Sequence, residues 1–468
     1  MEWSGIELLR MGAKGVSIAQ APDGRTMLVR GGVPGDVVTV AIRRKRKRMY
    51  EAVVTKVEKP SPDRIQVACE HFGMCGGCSW LAMDYRAQSQ AKGEEVYNHL
   101  QRQGHIACDD MRPIIPAPSP LRYRNKMEFS FSAHRWLTED EVQGGEAVDR
   151  RALGFHVPGF WDRILDVQEC HLQPEPSNAI RNFLRDEAKA RNLTFWAPRE
   201  ATGMLRTMML RCTQAGDWML VMQFGEAPGD EGMQLLQDCI TAFPQLTSVY
   251  YAINQKGNDS IYDLDLQLLH GEPHLTERMP SAIDGGKELQ FQIGPKSFYQ
   301  TNPVQAHRLY AEALKLADIA AGDTVYDLYT GTGTIALFVA QKAGKVIGVE
   351  SVAEAVDAAE RNAKNNGIAN AEFEVGDMKK AFNEDFVARH GRPDVVITDP
   401  PRDGMHPKVV KHLAELKAPQ ILYISCNPST QARDLELLQE TYEIVSIQPV
   451  DMFPQTHHVE NIALLKLR

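Results

Sequence analysis

The chain has 468 residues, 43% hydrophobic and 24% charged, a composition that excludes a disordered segment, a collagen-like fibre and a membrane bundle. Eight cysteines are too sparse for a disulfide-stapled secreted domain. No apolar run reaches the roughly 18 residues that cross a bilayer, and Met1 to Gly15 has no continuous apolar signal region, so the expectation is a cytoplasmic protein of about three domains.

Residues 1–62 read as a small β-barrel: short β-rich runs alternate with turn signals such as Pro22-Asp23-Gly24 and Val33-Pro34-Gly35-Asp36. The net charge of −9 hides a basic front. Residues 1–65 carry 13 lysines and arginines against 7 acidic residues, a net of +6 that leaves −15 for the remainder. Within them Arg43, Arg44, Lys45, Arg46, Lys47 and Arg48 form an unbroken cationic run, able to neutralise phosphates or simply to stay solvated. Pro60-Ser61-Pro62-Asp63 reads as a linker, since two prolines deny helix or central strand.

Residues 63–290 read as an α+β middle domain, with alternating strands near Met127 to His134 and Trp218 to Phe224 and amphipathic helices around 177–192 and 230–242. Cys69, Cys75 and Cys78 stand as Cys-x5-Cys-Gly-Gly-Cys, and Cys170 follows at a distance. Four thiolates can hold an iron-sulfur cluster or a zinc ion, or remain free; the two glycines let a loop wrap a bulky centre. Arg122-Tyr123-Arg124-Asn125-Lys126 interleaves cations with an aromatic, which suits phosphate contact and base stacking or an ordinary strand edge.

From residue 291 to 468 strands and helices alternate, which implies a doubly wound parallel sheet. Asp327-Leu328-Tyr329-Thr330-Gly331-Thr332-Gly333-Thr334 is a strand ending in a Gly-x-Gly turn that opens a helix, a place where Tyr329 and Thr334 can meet a nucleoside cofactor. Glu350 lies 17 residues after Gly333, placed to accept ribose hydroxyls, and Asp377 ends the next strand, placed to contact an adenine. NAD and S-adenosylmethionine both suit this frame, since Ala336 at the third glycine position is a tolerated variant.

The next two strands run into Asp399-Pro400-Pro401-Arg402 and Ser425-Cys426-Asn427-Pro428. Asp-Pro-Pro makes a stiff turn that holds a carboxylate at the cleft. Cys426, between a strand and a turn, can serve as nucleophile or lie inert as a small hydrophobe. His457-His458-Val459-Glu460 precedes the last strand and reads as a metal half-site, a plain loop or a source of a general base.

These motifs, in this order and together with Phe298-Tyr299-Gln300-Thr301-Asn302, resemble the RNA uracil-C5 methyltransferase family over nearly the whole chain. The resemblance implies a Rossmann-like S-adenosylmethionine methyltransferase domain, an N-terminal OB-like barrel of the RNA-binding TRAM type and an iron-sulfur middle domain. It implies that Gln300, Tyr329, Glu350 and Asp399 contact S-adenosylmethionine, that Cys426 is the nucleophile and Glu460 the base, and that Cys69, Cys75, Cys78 and Cys170 hold a [4Fe-4S] cluster. The expected partner is RNA, foremost 23S ribosomal RNA, with no membrane, no obligatory protein partner and a monomer sufficing. Transfer RNA as substrate, or a non-catalytic RNA-binding iron-sulfur protein, are the other readings.

Overall fold

Alternate apolar residues in the first 59 positions supply one buried face per strand, including Leu8, Met27, Val29, Val38 and Val40. The computed structural model, which describes residues 1–144 and 148–468, closes Glu2–Met11, Ser17–Gln20, Thr26–Arg30, Val37–Lys45 and Met49–Lys59 into a barrel whose spatial order is first, second, third, fifth, fourth. Arg43 to Arg48 form the exposed tip of its last hairpin. The segment read as a linker is held down: buried Ser61 donates its N–H to Asp36 Oδ1 at 2.8 Å, and Arg64 pairs with Asp36 Oδ2 at 2.6 Å.

Seven strands form a central sheet in the order Gln267–Gly271, Leu246–Ile253, Trp218–Phe224, Leu205–Cys212, Lys126–Ser132, Ala152–His156, Ile164–Asp166. Every residue of Leu205–Cys212 and Trp218–Phe224 is buried, because the helices Ser177–Ala190 and Gly229–Ala242 cover one face and the remaining chain covers the other.

The third sheet has eight strands ordered Ala371–Val375, Lys345–Glu350, Thr324–Leu328, Val395–Thr398, Gln420–Ser425, Glu460–Leu467, Tyr442–Val450, Asp110–Met111. The first five are parallel, and Glu460–Leu467 inserts antiparallel beside Gln420–Ser425. Apolar runs such as Val395, Val396 and Ile397 are buried on both faces, as a doubly wound sheet requires. The order reverses between Thr324–Leu328 and Val395–Thr398, and ligands bind such sheets outside the carboxyl ends at that switch.

Part of the segment read as middle domain lies on this sheet instead. The helix Tyr85–Arg102 packs against Pro428–Leu438, and Asp110–Met111 pairs with the edge strand Tyr442–Val450. The cause is packing: Val96, Leu100 and Ile106 bury their side chains in the core of the third sheet.

Asp36 locks the barrel to the segment 61–64. Its carboxylate is fully buried and also accepts the Val33 N–H at 2.7 Å. Burial works to raise its pKa, but Arg64 and the N–H groups of Ser61 and Val33 outweigh that and hold it below the ordinary carboxylate value. Asp36→Ala strands Arg64 and two buried donors, so we expect the barrel to lose about 3–5 kcal/mol, measured by denaturant unfolding. Because the folded pKa is depressed, the native contribution is complete above the unfolded value of about 3.9 and disappears as pH falls through the folded value.

Candidate active site

The glycine turn is shaped by backbone geometry. Tyr329 adopts φ 66°, and its N–H and that of Thr330 both donate to the Val349 carbonyl, at 3.0 and 3.1 Å. Gly333 has φ 78°, and a Cβ there would stand 2.9 Å from the Ala359 Cβ, so glycine is required twice over. A Cβ on Gly331 would meet nothing within 4 Å, which leaves that backbone open to a ligand. Glu350 ends the adjacent strand and accepts the Gly331 N–H at 3.2 Å and the Val352 N–H at 3.0 Å. Asp327 is buried beneath the turn; Thr330 Oγ1 donates to its Oδ2 at 2.6 Å and its Oδ1 has no partner. Burial raises its pKa to about 7.

A cleft of about 1000 Å³ opens at the switch point, and among its walls are Gln300, Tyr329, Asp399, Cys426 and Glu460. Each arrives from a different strand end or adjoining loop. Asn427 caps the helix Pro428–Leu438 through the Ser429 N–H at 3.1 Å, and its Nδ2 donates to the Arg402 carbonyl at 2.9 Å. The Cys426 and Asp-Pro-Pro-Arg loops are thereby braced together. Thr334, Glu350 and Asp377 are not among the cleft-lining residues. Thr334 Oγ1 lies 3.4 Å from Thr332 Oγ1, and Asp377 is an exposed N-cap that accepts the Lys379 N–H at 3.1 Å.

Acidity in the cleft is suppressed. Burial first, then the Glu460 and Asp399 carboxylates, push the Cys426 thiol up to about 12, while Arg402 pulls the other way. Glu460 is raised well above the carboxylate range by burial and by Asp399, again opposed by Arg402. Asp399 is raised to about 7 by burial and by Asp327. Burial and the neighbouring carboxylates therefore disfavour the charged forms of Cys426 and Glu460 in the free site.

The opposite wall carries Cys69, Cys75, Cys78 and Cys170. Burial raises the Cys78 thiol to about 12, and the other three thiols add to that. A Cβ on Gly76 would stand 2.6 Å from Pro158 Cγ, so the loop passes that proline only with glycine there. Cys170 is pinned by Asn178, which accepts its N–H at 2.8 Å and donates to its carbonyl at 3.2 Å. Among the described residues no group of three or more His, Cys, Asp or Glu has the arrangement to hold a metal ion; this includes Cys69, Cys75, Cys78 and Cys170 as well as His457 and His458, whose ring centroids lie 4.2 Å apart.

The cationic stretch 122–126 divides its labour. Arg122 is engaged by Glu169 and Glu175, and Tyr123, which lines the cleft, is braced by its hydroxyl, which donates to the Pro454 carbonyl at 3.0 Å. Arg124 and Lys126 line the cleft. Phe298, 64% exposed, also lines it; a large aromatic left in water at a cleft marks a ligand-facing position.

Since the thiolate is the reactive form, alkylation of Cys426 in the free protein should rise about tenfold per pH unit through pH 8–10 without levelling. Arg402→Ala, which removes the cation that pulls the thiol pKa down, should slow it further. Mass spectrometry of the Cys426 peptide reads both.

A family model described as tRNA (Uracil-5-)-methyltransferase matches residues 272–468. An uncharacterized RNA methyltransferase of Bacteroides thetaiotaomicron is 45% identical, covering 98% of this chain and 100% of its own, and one of Porphyromonas gingivalis is 43% identical, covering 98% and 99%. Among solved structures, the tRNA (uracil-54, C5)-methyltransferase of Pyrococcus abyssi in complex with S-adenosyl-L-homocysteine is 27% identical, covers 98% of this chain and 100% of its own, and superposes with a TM-score of 0.74. The strand-end cleft and the whole-length relatives together place this chain in the RNA uracil-5-methyltransferase family.

Proposed function

We propose that the protein transfers a methyl group from S-adenosylmethionine to C5 of a uridine in structured RNA, with Cys426 as nucleophile and Glu460 as base. The observation that carries this reading is the convergence of Cys426, Glu460 and Asp399 on one cleft beside a glycine turn open to a ligand.

The residues present fit the methyl donor. Gln300 and Tyr329 line the cleft, Gly331 leaves space above its backbone, and Asp327 keeps a buried oxygen unpartnered. Glu350 would take the ribose hydroxyls, Asp377 the adenine, and Thr334 would support the turn. Bound there, S-adenosylmethionine supplies a methyl group on a positively charged sulfur. Cys426, Asp399 and Glu460 all ionise more readily beside a positive charge, the direction that the chemistry demands.

C5 of uracil is too weak a nucleophile to take a methyl unaided. The Cys426 thiol loses its proton to water, and the thiolate adds to C6 as the C5–C6 π pair shifts toward O4, giving an enolate. C5 then takes the methyl, and the donor sulfur leaves with the bonding pair. Glu460 as carboxylate removes the C5 proton; that C–H pair re-forms the double bond and Cys426 departs as thiolate. Asp399 is placed to hydrogen-bond the uracil edge or the donor. The uridine must leave its stack, at a cost of about a few kcal/mol, with Phe298 offering a face and Arg124 and Lys126 meeting phosphates. The barrel, with its tip at Arg43–Arg48, acts as a TRAM-type RNA module.

Cys69, Cys75, Cys78 and Cys170 hold a [4Fe-4S] cluster in this reading. The donor set supports it: four thiols face one cleft, and burial first, then the neighbouring thiols, raise Cys69, Cys75 and Cys78, a penalty on the thiolates that iron relieves. The target is 23S ribosomal RNA, from the resemblance of the cysteine pattern. Transfer RNA is the second reading, favoured by the whole-length likeness to the tRNA (uracil-54, C5)-methyltransferase.

Purified protein with S-adenosylmethionine should form 5-methyluridine in RNA from cells lacking the gene; Cys426→Ala should abolish it, and absence of 5-methyluridine from both ribosomal and transfer RNA contradicts the reading. Mapping the modified position decides between the two RNAs. Glu460→Gln should slow turnover by about 10²- to 10⁴-fold. Anaerobically purified protein should carry four irons and four acid-labile sulfides per chain, and Cys78→Ser should lose most of both, read by iron analysis and visible absorption.

A further inference from the structure

Glu460 opens the last strand at the end of a nine-residue connection, Asp451 to Val459, that contains no helix or strand. A connection of that length is ordinarily mobile, yet this one must present Thr456, His458 and Glu460 to the cleft. The chain braces it from outside. Lys92, on the helix Tyr85–Arg102, is fully buried and donates to Asp451 Oδ1 at 2.5 Å and to the Phe453 carbonyl at 3.0 Å. The Tyr85 hydroxyl donates to Asp451 Oδ2 at 3.0 Å, and Asp451 Oδ1 also accepts the Phe453 N–H at 3.1 Å. One turn back, Gln88 and Gln455 pair reciprocally: Gln88 Nε2 donates to Gln455 Oε1 at 2.9 Å and Gln88 Oε1 accepts the Gln455 N–H at 3.0 Å. Gln455 is held at φ 69°, a conformation a glutamine keeps only where its surroundings impose it.

We infer that the buried Lys92–Asp451 pair, with Tyr85 and the Gln88–Gln455 pair, is a clamp that positions the 451–459 connection so that Glu460 meets the C5 proton; this rests on the reading of Glu460 as base. The clamp's geometry favours that role over generic stability. A buried ion pair is costly and is replaced by apolar side chains without loss in many settings, whereas this one spans 359 sequence positions and, with its neighbours, holds 451, 453 and 455 of one irregular segment. Trp80 joins the grip, its backbone N–H donating to the Gln455 carbonyl at 3.0 Å and its ring lying 5.9 Å from Lys92 Nζ.

Three variants test it: Tyr85→Phe, which removes one hydroxyl; Lys92→Met/Asp451→Asn, which removes both charges together so that neither is left buried alone; and Glu460→Gln as control. With ordinary uridine RNA and S-adenosylmethionine, a displaced Glu460 leaves the methylated adduct unresolved. The double variant should therefore turn over about 10- to 100-fold more slowly, with KM for RNA unchanged, and accumulate a denaturant-stable RNA–protein adduct as Glu460→Gln does; Tyr85→Phe should show the same change in smaller degree. Amide hydrogen exchange at 452–459 should quicken by about tenfold in the folded double variant. The clamp is refuted if exchange there is unaltered, if turnover matches the native protein, or if turnover and adduct fall together as in a misfolded enzyme. Failure of Glu460→Gln itself to accumulate adduct refutes the base assignment instead, and exchange then judges the clamp alone.

Discussion

Three acidic groups, Cys426, Asp399 and Glu460, share one cleft, and their surroundings disfavour the charged form of each. Burial penalises every charge; Asp399 adds to the effect at Cys426 and Glu460, Glu460 at Cys426 and Asp327 at Asp399, and Arg402 opposes it at Cys426 and Glu460. Ionising all three without further positive charge would cost several kcal/mol. The arrangement is therefore inert alone and suited to a cationic reactant, which links the proposed chemistry to order of assembly: the charge that enables the thiolate is the one that delivers the methyl group.

Holding such a site needs rigid surroundings, and the fold supplies them in two ways. Parallel strands buried on both faces fix Tyr329, Asp399 and Cys426 at neighbouring carboxyl ends, where loop positions vary little. Glu460 comes from an antiparallel insertion instead, where it pairs with Val450 at the start of its strand, and the connection that leads to it is held by contacts beyond the sheet. Residues from the cysteine segment and the helix Tyr85–Arg102 make those contacts. A Cβ on Gly15 in the barrel would stand only 3.2 Å from His457, so the barrel also touches the connection that precedes Glu460.

The features legible in the sequence are those with local signatures. Strand-helix alternation announced the doubly wound sheet, alternating apolar residues the barrel, and Gly-x-Gly with Asp-Pro-Pro and Ser-Cys-Asn-Pro the residues at the strand ends. The helix Tyr85–Arg102 escaped because its buried face includes Gln88, Ser89 and Lys92, which break any apolar period. Asp110–Met111 is a two-residue strand whose partner lies more than 300 positions away, beyond the reach of pattern. That the Tyr123 hydroxyl is tied down shows only through its distant partner Pro454. That the four cysteines face the same cleft as Cys426 is likewise a long-range fact, invisible to spacing.

The most direct test is to incubate the protein with 5-fluorouridine-containing RNA and S-adenosylmethionine and to sequence the resulting conjugate by mass spectrometry. Fluorine at C5 cannot leave as a proton does, so the ring should remain bonded to sulfur. The account predicts one conjugate, at Cys426, whose pyrimidine bears both fluorine and the transferred methyl. A conjugate at any other cysteine, or methylation without a conjugate, would contradict it.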